Sequence, residues 1–126
     1  MQKLYLILLV GCGGFIGAAC RYIISNYSVK FFGSAFPYGT LIVNVVGAIL
    51  IGFVMALSLK GTVSPNAKLF ITTGIMGGLT TFSTFSYETI SIFSTGNIAL
   101  GSLNAGLNLF LSLGGVVLGQ FLASAL

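Results

Sequence analysis

The chain is a succession of four long apolar runs separated by short segments. A helix needs about 20 mostly apolar residues to cross a bilayer, and runs of this length in lipid must be helical to satisfy their backbone polar groups. The runs are about Leu4–Ile24, Pro37–Leu59, Pro65–Phe93 and Ile98–Leu122. Between the second and third runs, Gly61 is expected to end one helix, and Ser64 to cap the next. We therefore expect an all-α integral membrane protein, with residues 1–126 forming a single four-span domain.

The scarcity of charged side chains supports this class and argues against others. The chain has five lysines and arginines, one acidic residue and no histidine, so that 5% of its residues are charged. Soluble proteins carry about 25%. General acid–base catalysis and metal sites built from His, Cys or carboxylates therefore lack the side chains that they need. The basic residues are scattered rather than clustered, so we expect neither an enzyme nor a nucleic-acid-binding protein.

The basic residues hardly distinguish the two sides of the membrane. With four spans, Lys3, Lys60 and Lys68 share the side of both termini, and Arg21 and Lys30 fall on the other. Orientation normally follows an excess of Lys and Arg in the loops, and three against two is nearly no excess. Either one charge suffices to orient the chain, or the chain inserts both ways and pairs with an inverted copy. The near balance favours the second interpretation, an antiparallel dual-topology homodimer.

The third run is interrupted near its centre by the sequence GIMGGLTTFSTF at residues 74–85. Gly77 and Gly78 lower helix propensity, and Thr80 and Thr81 can cap a helix that restarts after them. Non-helical backbone at membrane depth persists only where it is buried in protein or lines a polar cavity. We predict a break at about residues 76–80 between two half-helices. Its carbonyls would be available to a cation and its N–H groups to an anion.

Polar side chains form stripes on the second and fourth spans. Thr40 and Asn44 share one face of the second span, and Asn104, Asn108 and Ser112 share one face of the fourth. An asparagine deep in a bilayer is costly unless its amide is hydrogen-bonded. Two interpretations stay open, since the stripes either bond one span to another or line a polar track. Their alignment with the interrupted third span favours the track.

Two phenylalanines follow the predicted break. Phe82 and Phe85 are i, i+3 neighbours, and the positive edge of an aromatic ring can face an anion without the strong retention of an arginine. The alternative is that both rings face lipid or core. Arg21 either extends to the membrane interface or supplies positive potential at the mouth of the polar track. Glu88 either lines the track or lies at the interface. The sequence leaves both pairs of alternatives open.

Three motifs identify a family: GGFIGAACRY at 13–22, GTLIVNVVG at 39–47 and TTGIMGGLTTFSTFSYE at 72–88. Through them the whole chain strongly resembles the Fluc (CrcB-type) family of fluoride channels. A broken span followed by TTFSTF is the most specific part of this resemblance. The fourth span is a looser match, because Asn104 and Asn108 stand where relatives are expected to carry Tyr- or Ser-like residues.

The resemblance implies an antiparallel homodimer in a bacterial inner membrane, with two pores that export cytoplasmic fluoride by passive conduction. Phe82 and Phe85 would line each pore with their ring edges. The other implied pore residues are Asn44, Ser83 and Thr84 beside the rings, Thr40, Asn108 and Ser112 along the polar route, Glu88 near one end and Arg21 near an entrance. One structural sodium ion would be held at the dimer axis by the backbone carbonyls of Gly77 and Thr80 from both subunits.

Two other functional classes fit the sequence less well. A small proton-coupled multidrug exporter would need a deep carboxylate, preferably in the first span, and an aromatic cage that often uses Trp. The first span has no acidic residue and the chain has no Trp. A structural or holin-like four-span subunit would leave the break and its paired phenylalanines unexplained. The sequence therefore favours an anion channel.

Overall fold

The computed structural model describes all 126 residues, and every regular element in it is helical. In chain order the elements are α1 (Gln2–Phe32), α2 (Tyr38–Leu59), α3 (Pro65–Leu69), a π-helical segment (Phe70–Met76), α4 (Gly77–Leu79), α5 (Phe82–Ser94) and α6 (Ile98–Ser124). Three of these helices, α1, α2 and α6, are long and apolar enough to cross a membrane. The all-α fold is thus confirmed. The third predicted span is divided among α3, the π segment, α4 and α5.

The helix ends follow the local sequence. Gly33, Gly61 and Gly96 have φ values of 79°, 74° and 85°, in the left-handed region that residues with a Cβ rarely adopt. Gly61 ends the turn after α2, as expected. The Ser64 hydroxyl caps α3 by accepting a hydrogen bond from the N–H of Ala67 at 3.2 Å. The connections between helices are therefore short and well defined.

The interruption of the third span lies at Thr80 and Thr81, later than predicted. Both threonines have extended backbone, with ψ of 155° at Thr80 and φ of −151° at Thr81. Gly77 and Gly78 are helical, so the predicted range 76–80 overlaps the observed break only at Thr80. A Cβ at Gly78 would lie 2.9 Å from the amide nitrogen of Ala18, so this position requires glycine because α1 packs closely against it.

Close approach of helix backbones characterises the packing. Helix α1 packs along the π segment and α4, and α2 packs along α6. A Cβ on Gly13 would lie 2.9 Å from the Cα of Gly74, and one on Gly119 would lie 2.7 Å from the amide nitrogen of Phe53. Small residues allow such contacts in lipid, where packing rather than the hydrophobic effect drives helix association.

Most large apolar side chains lie on the outside of the protomer. Phe15 and Phe110 are 76% and 69% exposed, whereas the buried core is a small cluster of Val43, Met76 and Leu79. An apolar exterior of this extent suits contact with lipid or with another protein, not with water. Together with the three long apolar helices, it makes the chain a multi-pass membrane protein.

Candidate functional site

Asn44 of α2 pairs with the backbone at the break. Its Oδ1 accepts a hydrogen bond from the N–H of Thr81 at 2.8 Å, and its Nδ2 donates to the carbonyl oxygen of Thr81 at 3.2 Å. Backbone groups without partners in lipid cost several kcal/mol each. Asn44 satisfies both groups of one extended residue, and this makes the interruption of the third span tolerable.

Three hydroxyls cluster at the start of α5. The Oγ1 of Thr81 accepts a hydrogen bond from the N–H of Thr84 at 3.1 Å, so Thr81 caps the restarted helix as predicted. It also donates to the Oγ1 of Thr84 at 3.1 Å and lies 3.3 Å from the Oγ of Ser83. The N-terminus of a helix favours negative charge, so this cluster lies where an anion is stabilised.

Phe82 and Phe85 lie together on the first turn of α5. Their ring centroids are 5.5 Å apart and their planes meet at 60°, an edge-to-face arrangement. Phe82 is 79% exposed in the protomer, whereas Phe85 is half-buried. The pair therefore lies at the surface of a single subunit, with Phe82 on the outside.

A cavity of about 460 Å³ brings most of the predicted site residues together. It lies among α2, the π segment, α5 and α6. Its lining includes five of the predicted pore residues, Asn44, Phe82, Phe85, Asn108 and Ser112, as well as Gly77 and Thr80, from which the sodium site was predicted. Thr72 and Thr81 add two hydroxyls that were not predicted at the site. We call it the first cavity.

Three further predicted residues, Thr40, Thr84 and Glu88, share a second cavity. It has a volume of about 410 Å³ and lies among the C-terminal part of α1, the start of α2 and α5. The hydroxyl of Thr40 donates a hydrogen bond to the Glu88 carboxylate. Four serines that sequence reasoning missed also line it, Ser25, Ser28, Ser34 and Ser91. For three of them an i, i+3 spacing, between Ser25 and Ser28 and from Glu88 to Ser91, was the available signal. Ser34 lies in the loop after α1 and has no such signal.

Arg21 bonds to the last helical turn before the break. Its Nε donates to the carbonyl oxygen of Gly78 at 3.0 Å, at the C-terminal end of the helical run that precedes the break. A cation at this end satisfies a free carbonyl and complements the helix dipole. Arg21 lines neither cavity, and its predicted place near an entrance stays a prediction.

Two carbonyls at the break have lost their usual helical partners. The N–H of Thr81, the i+4 partner of the Gly77 carbonyl, donates to Asn44, and the N–H of Thr84, the i+4 partner of the Thr80 carbonyl, donates to the Thr81 hydroxyl. Neither Gly77 nor Thr80 is buried in the protomer. Carbonyl oxygens suit hard cations, so the donor set at these two residues fits a sodium ion.

One family model and several curated proteins are similar to the chain over nearly all of its length. Residues 8–120 match the family described as CrcB-like protein, Camphor Resistance (CrcB). The chain is 62% identical over 123 residues to the fluoride-specific ion channel FluC of Clostridium novyi (strain NT), which covers 97% of this chain and 96% of that protein. A Clostridium perfringens protein of the same name is 62% identical over 127 residues, 100% of this chain and 99% of its own. One from Shewanella sp. (strain ANA-3) is 49% identical over 114 residues, 90% of this chain and 92% of its own.

Proposed function

Because the chain belongs to the CrcB family, we propose that it is a fluoride-specific ion channel that exports cytoplasmic fluoride by passive conduction. The observation that carries the proposal is the 62% identity, over 97% of the chain, to a relative of that name. The family is one of ion channels, so the chain is not an enzyme. Its bacterial relatives and its long apolar helices identify it as a multi-pass inner-membrane protein.

In this proposal fluoride passes through the first cavity along the ring edges of Phe82 and Phe85. Fluoride is small and tightly hydrated, so a pore must replace its water with other donors. Positive ring edges and the hydroxyl of Ser112 are such donors within one cavity, which the Asn44 side chain also lines. No lysine or arginine lines this cavity, so the ion meets partial charges that do not retain it.

We assign the second cavity to the same route. The two cavities follow one another along α2, where Thr40 and Asn44 are one turn apart, and along α5, where Thr84 adjoins Phe85. Glu88 would lie at the end of the route, with its carboxylate oriented by the hydrogen bond from Thr40. The Ser83 hydroxyl would donate to fluoride beside the rings of Phe82 and Phe85. Asn108 would extend the polar wall of the route, and Arg21 would lie near one of its entrances.

The route is completed by a second, inverted copy of the chain. Phe82 is 79% exposed, and Gly77, which lines the same cavity, is also exposed, so both residues lie on the outside of the protomer. Polar backbone facing lipid is costly, and a subunit packed on this face would cover it. Three basic residues against two allow the chain to insert in both orientations, which an antiparallel homodimer requires.

A structural sodium ion fits the axis of such a dimer. Gly77 and Thr80 of each subunit would contribute two carbonyls, and the two-fold axis would bring four together. When bound, the ion would neutralise these oxygens and add positive potential near both pores. It would stay in place while fluoride is transported.

Ion efflux from proteoliposomes tests the function directly. Vesicles are loaded with potassium fluoride or potassium chloride, valinomycin supplies the counter-ion path, and efflux is recorded with ion-selective electrodes. We expect fast fluoride efflux and chloride efflux no greater than that of protein-free vesicles. Fluoride efflux at the protein-free rate, or chloride efflux as fast as that of fluoride, would overturn the proposal.

A further inference from the structure

A continuous series of hydrogen bonds links Asn44 to the backbone of α5. Asn44 Nδ2 donates to Asn108 Oδ1 at 3.0 Å, and Asn108 Nδ2 donates to Asn104 Oδ1 at 3.1 Å. Asn104 Nδ2 donates to Thr89 Oγ1 at 2.9 Å, and this hydroxyl donates to the carbonyl oxygen of Phe85 at 2.8 Å. We call these four side chains the amide chain.

The direction of donation along the amide chain is fixed at both ends. At one end, the N–H of Thr81 can only donate, so Asn44 must present Oδ1 to it and direct Nδ2 away. At the other end, the carbonyl oxygen of Phe85 can only accept, so the Thr89 hydroxyl must donate to it. Each amide between them therefore has one orientation. Hydrogen bonds aligned in this way polarise and strengthen one another.

Two members of the amide chain lie away from the proposed ion route. Asn104 is 0% exposed and Thr89 is 7% exposed, and neither lines the first or the second cavity. Every buried side-chain nitrogen and oxygen in the protein has a hydrogen-bond partner. Asn104 and Thr89 therefore have no contact with the ion route and act only through the side chains that they hold.

The amide chain determines how Asn44 faces the first cavity. The two hydrogens of Asn44 Nδ2 are directed at the Thr81 carbonyl, at 3.2 Å, and at Asn108, at 3.0 Å. Loss of the Thr89 hydroxyl would leave Asn104 Nδ2 without its acceptor in a buried site, and an unpaired buried amide reorients or admits water. The disturbance would pass through Asn108 to Asn44 and to the break that Asn44 closes.

We propose that Thr89 and Asn104 are positioning residues for fluoride conduction, which hold the Asn44 amide and the Thr81 peptide through the amide chain. This rests on the proposed function as a fluoride channel. In this proposal Asn104 does not line the polar track, because its side-chain amide is hydrogen-bonded to Thr89 and Asn108 inside the protomer.

A matched pair at Thr89 tests the proposal. Thr89→Val keeps the shape of the side chain and removes the hydroxyl, whereas Thr89→Ser keeps the hydroxyl and removes a methyl group. We expect Thr89→Val to slow fluoride efflux about tenfold, the factor that roughly one lost hydrogen bond corresponds to, and Thr89→Ser to stay near the wild-type rate. Where Thr89→Val yields no folded protein, Thr89→Ala is compared with Thr89→Ser. Wild-type efflux in the hydroxyl-free variant, or equal losses in both variants, would overturn the proposal.

A double variant separates positioning from simple packing. If Thr89 acts through the amide chain, adding Thr89→Val to Asn104→Leu causes no further loss of efflux, because the chain is already cut. Independent packing effects would instead multiply and would contradict the proposal. Wild-type protein is measured in the same vesicle preparation. Failure of the wild type to conduct fluoride would overturn the proposed function, whereas a conducting wild type with multiplying losses would overturn only the positioning role.

Discussion

At the scale of single residues, Asn44 connects the stability of the break to the proposed pore. It pairs with both backbone groups of Thr81 and also lines the first cavity. The sequence indicated that its amide needs partners, because an unsatisfied amide in lipid is costly. The partner was not predictable, because it depends on how α2 is rotated and displaced against the third span. An i+4 stripe fixes a face of one helix and leaves open what that face meets.

Replacing the two rings tests their contact with the ion. Phe82→Ile and Phe85→Ile keep apolar volume but remove the positive ring edge. We expect each to slow fluoride efflux about fivefold or more, since one such contact is worth on the order of 1 kcal/mol. The proposed dimer should elute from a gel-filtration column at the same volume as that of the wild type.

The matched control for the rings is Phe121→Ile, which alters a ring on α6 that is 69% exposed and lines neither cavity. It should conduct like the wild type. Wild-type efflux in both Phe82→Ile and Phe85→Ile would remove the ring edges from the proposed pore.

At the scale of helices, lipid explains which features were predictable. The limits of α2 and α6 lie within about two residues of the predicted runs, because membrane thickness sets helix length. The break lies later than predicted, because the low helix propensity of Gly77 and Gly78 does not interrupt the helix at these residues. Packing against α1 accounts for Gly78, and the capping threonine at residue 81 sets the break. The helix propensities of the residues in the π segment before the break do not predict a π-helix there.

The packing of α1 against the third span predicts a strong effect at Gly17. A Cβ there would lie 2.8 Å from the amide nitrogen of Leu79, and still closer to the carbonyl oxygen of Ile75. Both are backbone atoms, so the helices must separate, at a cost of about 1–3 kcal/mol. We expect Gly17→Ala to lower the Tm measured in detergent.

Gly11→Ala on the same helix is the control for Gly17→Ala. No atom lies within 4 Å of its added Cβ, and alanine favours a helix over glycine by about 1 kcal/mol. Its Tm should equal or exceed that of the wild type. If the two alanine variants melt at the same temperature, close packing at Gly17 does not limit stability.

At the scale of the whole molecule, the protomer has polar groups where a lone subunit would meet lipid. The carbonyls of Gly77 and Thr80 lack their usual helical partners, and both residues reach the protomer surface. A sodium ion shared by two subunits would satisfy them, and this links ion binding to dimer stability.

Removing sodium should therefore destabilise the proposed dimer. Protein prepared throughout in N-methyl-D-glucamine should melt at a lower temperature than protein in sodium. Added sodium should raise the Tm along a saturating curve, as for any ligand that binds only the folded state. Potassium at equal ionic strength serves as the control for general salt effects. Equal melting temperatures at all sodium concentrations would argue against a structural sodium ion.

Insertion in both orientations is the property on which the antiparallel dimer depends, and single cysteines can measure it. Cys12 and Cys20 are exposed free thiols, so both are first replaced by serine. Gln2→Cys and Ser34→Cys then report opposite sides of the membrane without changing any charge. With three basic residues against two, we expect an impermeant maleimide to label each position from both sides of the membrane.

Shifting the charge balance should remove this dual insertion. Gln2→Lys with Thr62→Lys adds two lysines to the side of the termini and changes the count from three against two to five against two. Because a loop with excess lysine stays in the cytoplasm, this variant should be labelled from one side only. Without inverted copies it should also lose most fluoride efflux. One-sided labelling of the unshifted chain, or full efflux from a chain fixed in one orientation, would contradict an antiparallel channel.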